Sequence, residues 1–101
     1  MAKVKYTPKA VSDLEEIKEY IARDNEETAR KYVAGIFDRI DTLATNPNLG
    51  ISLERKWGIP TKYRMLICDS HLAFYKTEGE IVRVYRVLRG NHNYLAILEL
   101  E

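Results

Sequence analysis

The chain has 101 residues, of which 46% are hydrophobic and 31% are charged, and its net charge is +1. This length and composition predict one globular domain spanning residues 1–101 and exclude two separate domains. The small net charge excludes nucleic-acid binding through overall charge, so any anion-binding site must come from local clusters of Lys and Arg.

The first half of the sequence predicts a short strand followed by two helices. Residues 3–6 alternate polar and apolar side chains, which is typical of a strand. Thr7 and Pro8 form a favourable helix start, and Asn25 can cap a second helix that ends before Pro47. The short connection predicts an antiparallel helical hairpin, with Asp13 and the other acidic residues of the first helix mostly outside its apolar stripe. The apolar stripes contain Val11, Leu14, Ile17 and Ile21 on the first helix, and Ala29, Val33, Ile36, Ile40 and Leu43 on the second.

The second half predicts an antiparallel meander of three strands over residues 63–68, 71–76 and 81–88, with turns at 69–70 and 78–79. The connector over residues 50–60 is expected to lack a long regular element. Side chains alternate in strands, so Val84, Arg86 and Leu88 are expected on one face. The type of the closing segment around Leu95 to Leu100 stays open. The predicted fold is α+β, in the order β-α-α-β-β-β, with the helical hairpin packed on the antiparallel sheet.

Polar residues at the end of the last strand suggest chemistry on RNA. Cleavage at a 2′-hydroxyl needs a proton acceptor, a proton donor for the leaving oxygen and cations for the charged phosphorane. His92 could exchange protons, and Tyr94 could stack on a base or donate a hydrogen bond. The alternative for His92 is a surface histidine in a turn. Arg86 either pairs with a carboxylate near the sheet edge or points into a functional groove. The candidate phosphate ligands are Arg64, Arg86, Arg89, Lys56 and Lys62.

A basic cluster around Trp57 supports two interpretations. It contains Arg55, Lys56, Lys62 and Arg64. Basic residues beside an aromatic ring favour nucleic-acid contact, but solvated loop cations beside a core Trp fit equally well.

The remaining reactive residue types predict structural roles. Cys68 is expected to be a small buried residue, because it lies in an apolar run, and a single cysteine argues against a secreted, disulfide-bonded fold. His71 is expected at a turn or strand edge. Two His and one Cys argue against a zinc site, and no motif indicates a cofactor. The N-terminus has no hydrophobic signal core and no apolar run approaches a membrane span, so a cytoplasmic protein is expected.

The sequence resembles the RelE/ParE superfamily of toxins from bacterial type II toxin–antitoxin systems over nearly its whole length. The resemblance is carried by the order and spacing of several segments, not by one motif. These are the opening strand with residues 8–17, the helix pair ending at residues 43–47, and the stretches 62–66, 72–75, 84–90 and 94–95. It implies a small growth-arresting, plasmid-stabilising toxin that is neutralised by a cognate antitoxin wrapped around it.

Two mechanisms occur in the superfamily, and the resemblance implies one or the other. RelE-like members are mRNA interferases that cleave mRNA, usually on the ribosome, without a metal or other cofactor, whereas ParE-like members inhibit DNA gyrase and are not nucleases. Leu72 stands where many nucleases have Arg in the second meander strand, which resembles ParE. His92 stands where the YafQ-like nucleases have a His, so this position resembles those nucleases, which also lack that Arg. On this balance we expect a metal-independent endoribonuclease acting on mRNA, with gyrase inhibition as the alternative.

Overall fold

The structure, a computed structural model, describes residues 1–90, in which two long helices cover one face of a five-stranded sheet. This confirms the predicted α+β class and the β-α-α-β-β-β order, with two short elements added in the connector. The elements are β1 Lys3–Tyr6, α1 Pro8–Ala22, α2 Glu26–Asp41 with a 3-10 turn Thr42–Ala44, β2 Ile51–Ser52, α3 Leu53–Trp57, β3 Arg64–Cys68, β4 His71–Glu78 and β5 Ile81–Arg89. Within residues 1–90, no helix is both long and apolar enough to cross a membrane.

Both long helices begin at the caps predicted from the sequence. The Thr7 hydroxyl accepts a hydrogen bond from Ala10 N–H at 3.1 Å, and the Asn25 side chain accepts one from Thr28 N–H at 3.0 Å. Each cap satisfies a backbone donor that the first helical turn leaves without an internal partner. The helix boundaries are therefore set by local sequence.

The strands lie in the order β1-β5-β4-β3-β2, with β1 parallel to β5 and the other pairs antiparallel. β1 pairs with β5 only as far as Tyr6, which lies opposite Val84. The chain then turns into α1, and the Thr7 backbone N–H donates to the Val84 carbonyl at 3.0 Å. Beyond this point, the edge of β5 faces α1 instead of a strand, and this arrangement positions the candidate site.

Apolar side chains fill both faces of the sheet. The helix-covered face contains the larger cluster, in which Tyr75 is fully buried between the sheet and the helices. The opposite face is covered in part by α3 and the segment before β3. Its cluster consists of Leu53, Tyr63, Met65, Phe74 and Leu88, with Leu72 and Tyr85 packed against it.

A β-bulge in the β4–β5 pair makes the predicted strict alternation of β5 wrong. Tyr75 pairs with Val84 while Phe74 pairs with Arg86, so Tyr85 is an extra residue in β5. An extra residue reverses the side-chain phase beyond it. Val84 therefore packs with the helices, whereas Leu88 joins the cluster on the opposite face.

Two predictions for α1 also need correction, whereas the connector contains no long regular element, as expected. Val11 is 45% exposed, because it lies about 100° around the helix from the buried Ala10. Asp13, placed outside the apolar stripe from sequence, is buried. The two elements of the connector are short: β2 has two residues and α3 has five, too few to show a helical period in the sequence. The closing apolar segment, from Leu95 to Leu100, lies outside the described residues.

Candidate functional site

A groove of about 530 Å³ lies between α1 and the part of β5 that extends beyond β1. It brings together Arg86 and Arg89, two of the candidate phosphate ligands, with the buried His71. Its lining residues are Asp13, Glu16, Ile17, Tyr20, Ile21, His71, Arg86, Val87, Leu88 and Arg89. Apolar walls with a few polar groups are typical of ligand and peptide grooves.

Asp13 and Arg86 form an ion pair at this groove. The Asp13 carboxylate accepts hydrogen bonds from Arg86 Nε at 2.8 Å and Nη2 at 3.0 Å, and from the Val87 backbone N–H at 3.0 Å. The side chains are 10% and 22% exposed, respectively. The hydrogen bond to Asp13 raises the pKa of Arg86 above its usual value, so the guanidinium stays charged. The carboxylate thus satisfies an edge N–H where β1 has ended and joins α1 to β5.

Arg86 pairs with a carboxylate near the sheet edge, which is the first of the two alternatives drawn from the sequence. It also lines a groove, which is part of the second alternative. Sequence reasoning missed its partner, Asp13. The available signal was spacing, because Ala10, Asp13, Leu14 and Ile17 recur at i, i+3, i+4 and i+7 and share one helix face.

His71 begins β4, as its predicted position at a turn or strand edge implies, and it is buried. Its Nδ1 lies 2.7 Å from the Tyr32 hydroxyl oxygen, which accepts a hydrogen bond from the Ser70 backbone N–H at 3.2 Å. The Tyr32 hydroxyl thus contacts both the imidazole of His71 and the backbone of Ser70. His71 therefore connects α2 to the β3–β4 turn.

Arg64 lies on β3, at the other side of the sheet from Arg86. Its Nη1 donates to the Gly50 carbonyl at 2.8 Å and to the Asn48 carbonyl at 3.4 Å, which ties the start of β3 to the chain before β2. β4 separates β3 from β5, so the two arginine backbones are about 10 Å or more apart. The two side chains reach toward opposite edges, and the structure does not bring them together.

The other predicted residues fall into two groups. Arg55 and Lys56 lie in the exposed last turn of α3, and Lys62 is exposed before β3, so these cations are on the β2–β3 side of the sheet. His92 and Tyr94 lie outside the described residues.

Within residues 1–90, neither a reactive cysteine nor a group of metal ligands is present. Burial raises the pKa of the Cys68 thiol to about 11, so it is protonated and a poor nucleophile at neutral pH. In this part of the chain, no three His, Cys, Asp or Glu side chains are grouped to hold a metal ion.

Comparisons with known proteins place this geometry in context. Residues 4–94 match the family described as "ParE toxin of type II toxin-antitoxin system, parDE". Among solved structures, the chain is similar to the chromosomal ParDE toxin–antitoxin system from P. aeruginosa. That match has 26% identity and a TM-score of 0.73, and it covers 88% of this chain and 96% of that chain. No curated protein matches the sequence.

A second group of solved structures shares the fold alone. A YafQ variant from E. coli has 17% identity and a TM-score of 0.51. The E. coli DinJ–YafQ complex has 16% identity and a TM-score of 0.52. Each match covers 97% of this chain and 99% of that chain.

Proposed function

This chain belongs to the ParE toxin family and is the toxin of a type II toxin–antitoxin system, and we propose that it arrests growth by inhibiting DNA gyrase. This choice rests on Arg64 and Arg86. Both are expected to bind phosphate in a nuclease, but both form hydrogen bonds within the protein instead. The proposal reverses the preference drawn from sequence, where His92 favoured mRNA cleavage. It places the protein in the cytoplasm, where gyrase acts and where a cognate antitoxin would neutralise the toxin.

Arg86 is poorly suited to stabilise a phosphorane. A cation that does so must be able to face the charge that develops on the phosphate in the transition state. Two nitrogens of Arg86 already donate to Asp13, and moving the guanidinium to a phosphate would leave that carboxylate uncompensated at a mostly buried position. Separating such a pair is strongly unfavourable.

Arg64 and Leu72 support the same choice. Arg64 is held by two backbone carbonyls on the far side of the sheet. Leu72 packs against the apolar cluster on the face opposite the helices, at the place where many nucleases carry an arginine. Residues 1–90 therefore do not bring Arg64 and Arg86 together around one phosphate, whereas inhibition of a protein target requires no such convergence.

The second candidate function is metal-independent cleavage of mRNA on the ribosome. It depends on His92 as the proton-exchanging group and on Tyr94 as a stacking or hydrogen-bonding residue. Arg89 favours it, since this arginine ends β5 at the groove, three residues before His92. His92→Ala separates the two candidates, because it removes the proton exchange that cleavage requires, whereas gyrase inhibition needs no such exchange.

The test is expression of the wild-type chain and of His92→Ala in bacteria, with DNA breaks and mRNA 5′ ends measured in the same cultures. We expect both chains to induce the SOS response and to produce gyrase-trapped DNA breaks, while mRNA 5′ ends stay as in uninduced cells. Co-expression with the product of the neighbouring antitoxin reading frame is the control and should suppress the breaks. New mRNA 5′ ends that vanish with His92→Ala, without gyrase-linked breaks, would overturn the proposal.

A further inference from the structure

The charges of this protein are separated between two sides of the molecule. The stretch 54–64 contains four Lys or Arg and one acidic residue, a net charge of +3, although the net charge of the whole chain is only +1. Helix α1 contains two Lys and four Asp or Glu, a net charge of −2. α1 packs against β5, whereas the basic stretch runs from α3 into the start of β3, at the β2 edge of the sheet. A nearly neutral protein can therefore present a local positive field to an anion.

The basic side is built on α3, which is capped at both ends. The Ser52 hydroxyl accepts a hydrogen bond from the Arg55 backbone N–H at 3.4 Å. At the other end, Gly58 adopts a φ of 71°, and its N–H donates to the Glu54 carbonyl at 2.9 Å. Leu53 is 1% exposed and anchors the helix in the apolar cluster beneath it. These contacts fix the backbone of α3 while the side chains of its last turn stay exposed.

A backbone hydrogen bond brings a third cation beside α3. The Leu53 N–H donates to the Tyr63 carbonyl at 3.1 Å, so the chain just before β3 lies against the start of the helix. Tyr63 is buried, whereas its neighbour Lys62 is exposed. We name this surface the α3 patch, and it consists of Arg55, Lys56, Trp57 and Lys62.

The cations of the α3 patch have no counter-ion in the part of the chain that the structure describes. None of the three forms an ion pair or a side-chain hydrogen bond within residues 1–90, whereas Arg83 pairs with Glu78 and Arg86 pairs with Asp13. Arg64, next to the patch, donates to two backbone carbonyls and not to a carboxylate, so its charge adds to the local field. An exposed group of cations without carboxylates is the electrostatic signature of a surface that binds a polyanion.

We propose that the α3 patch binds the sugar–phosphate backbone of the duplex DNA that gyrase holds, so that the toxin contacts this DNA directly when cleaved DNA is trapped. The inference rests on the proposed function for the identity of the duplex. Contacts from Lys and Arg to phosphates hold a protein on DNA without reading its sequence. The acidic α1 lies on the other side of the molecule and is repelled by the same phosphates, which fixes the side that faces the DNA.

The aromatic residues of this region favour a duplex over a single strand. Trp57 is 37% exposed, so it is not the core residue considered from sequence. Tyr63 is 4% exposed and cannot offer its ring to a base. Proteins that bind single strands stack successive bases on several aromatic rings. The α3 patch presents one ring beside three cations, an arrangement that suits the outside of a duplex, where the bases are already stacked.

The size of the patch sets the expected salt dependence. The five residues of α3 are about 7.5 Å long, and the phosphates of one strand follow one another every ~3.4 Å along the duplex axis. Three cations can thus face about three phosphates. Each contact contributes about −0.9 to the slope of log affinity against log salt, so we expect a slope of about −2.7. Raising the salt fourfold, from about 50 to about 200 mM, should then weaken binding about 40-fold.

Titration of the purified toxin with a short fluorescein-labelled DNA duplex of random sequence measures this binding by anisotropy. Trp57 is the only tryptophan in the sequence, so its intrinsic fluorescence reports on the patch itself when an unlabelled duplex is added. We expect the fluorescence of Trp57 to change with the same affinity as the anisotropy and to return at high salt. Binding that leaves this fluorescence unchanged, or no binding at low salt, would overturn the proposal.

The variant Arg55→Gln with Lys56→Gln tests the patch, and Lys9→Gln with Lys18→Gln on α1 is the matched control. Both pairs are exposed and give the same change in net charge, and thermal unfolding verifies that both variants fold. The patch variant should bind the duplex at least 20-fold more weakly at about 50 mM salt, with the slope reduced to about −0.9. The control should bind within about threefold of the wild type. An equal loss in both variants would show a general charge effect and overturn the proposal.

Two further measurements identify the nucleic acid and separate this inference from the proposed function. A single-stranded RNA of the same length that binds more tightly than the duplex would assign the patch to RNA and overturn the proposal. In a DNA-cleavage reaction with gyrase, we expect at least tenfold more of the patch variant than of the wild type to be needed for the same amount of trapped DNA, with equal binding to gyrase in the absence of DNA. Equal trapping by both, or loss of gyrase binding without DNA, would overturn the inference. A wild-type toxin that does not act on gyrase would refute the proposed function instead, and the duplex titration would still decide whether the patch binds DNA.

Discussion

Replacing Asp13 with Asn should destabilise the protein strongly, because Asp13 joins α1 to β5 through three hydrogen bonds. An amide has the same shape as a carboxylate but no charge, and one of its two polar ends donates hydrogen instead of accepting it. Arg86 would keep its charge while losing its counter-ion. An amide oxygen in the place of Oδ2 could still accept from Arg86 Nε and the Val87 N–H, but the amide nitrogen would then face the Arg86 Nη2 donor with hydrogens of its own.

The size of the effect follows from the burial of the pair. Removing one partner of a buried ion pair costs about 3–5 kcal/mol. Arg86 is 22% exposed and keeps part of its hydration, so we take the lower end, about 3 kcal/mol. A loss of about 3 kcal/mol raises the unfolded-to-folded ratio by roughly 150-fold and lowers the melting temperature of a domain of this size by about 12–24 °C.

Urea unfolding followed by circular dichroism measures this loss, with Glu16→Gln as the control. Glu16 lines the same groove but is exposed, so neutralising it should change the unfolding free energy by less than about 0.5 kcal/mol. In a double-mutant cycle with Arg86→Met, the second substitution should recover part of the loss, because it removes the uncompensated charge. A loss below about 1 kcal/mol for Asp13→Asn, or strict additivity with Arg86→Met, would refute the assignment of Asp13–Arg86 as a structural pair.

Three further substitutions test the core beneath the sheet. Tyr75→Phe removes a hydroxyl that accepts from the Gly50 N–H at 2.9 Å and donates to the Pro47 carbonyl at 2.8 Å, and it should cost about 1–3 kcal/mol in denaturant unfolding. A change under about 0.5 kcal/mol would contradict those bonds. Gly50→Ala should cost about 1–3 kcal/mol, since its Cβ would lie 2.6 Å from the buried Tyr75 hydroxyl oxygen; an unaltered melting temperature would contradict this packing. Burial raises the pKa of Cys68 in the folded protein from 9.0 to about 11, so the thiol of the unfolded chain ionises first as the pH rises. The stability of the fold is therefore fully present below pH 9 and is lost as the pH rises toward 11. Cys68→Ala should flatten the stability curve between pH 9 and 10, and an identical curve would contradict the burial.

The helices and strands could be predicted because local sequence determines them. Thr7 and Asn25 cap helices through atoms three residues away, and these positions fixed the starts of α1 and α2 before any tertiary contact was known. The bulge at Tyr85 could not be predicted in this way. It depends on the pairing of β5 with β4, and a run with apolar residues on both faces gives no signal for a change of phase.

The candidate site could be predicted only in part, because it depends on long-range pairing. Arg86 was expected either beside a carboxylate or in a groove, and it lies in both settings. Its partner, Asp13, is 73 residues away along the chain, so helical spacing can place Asp13 on the inner face of α1 but no local pattern pairs it with Arg86. Arg64 was assigned to phosphate from residue type, but its backbone partners arise from the turn before β2. His92 and Tyr94 stay predictions.

Gyrase inhibition is tested by adding the purified toxin to DNA gyrase in a supercoiling reaction and, in parallel, to translating ribosomes with a defined mRNA. We expect the toxin to block supercoiling and to trap cleaved DNA on gyrase, His92→Ala to do the same, and the mRNA to stay intact. Supercoiling that proceeds unimpaired while the mRNA is cut by the wild-type chain, but not by His92→Ala, would contradict it.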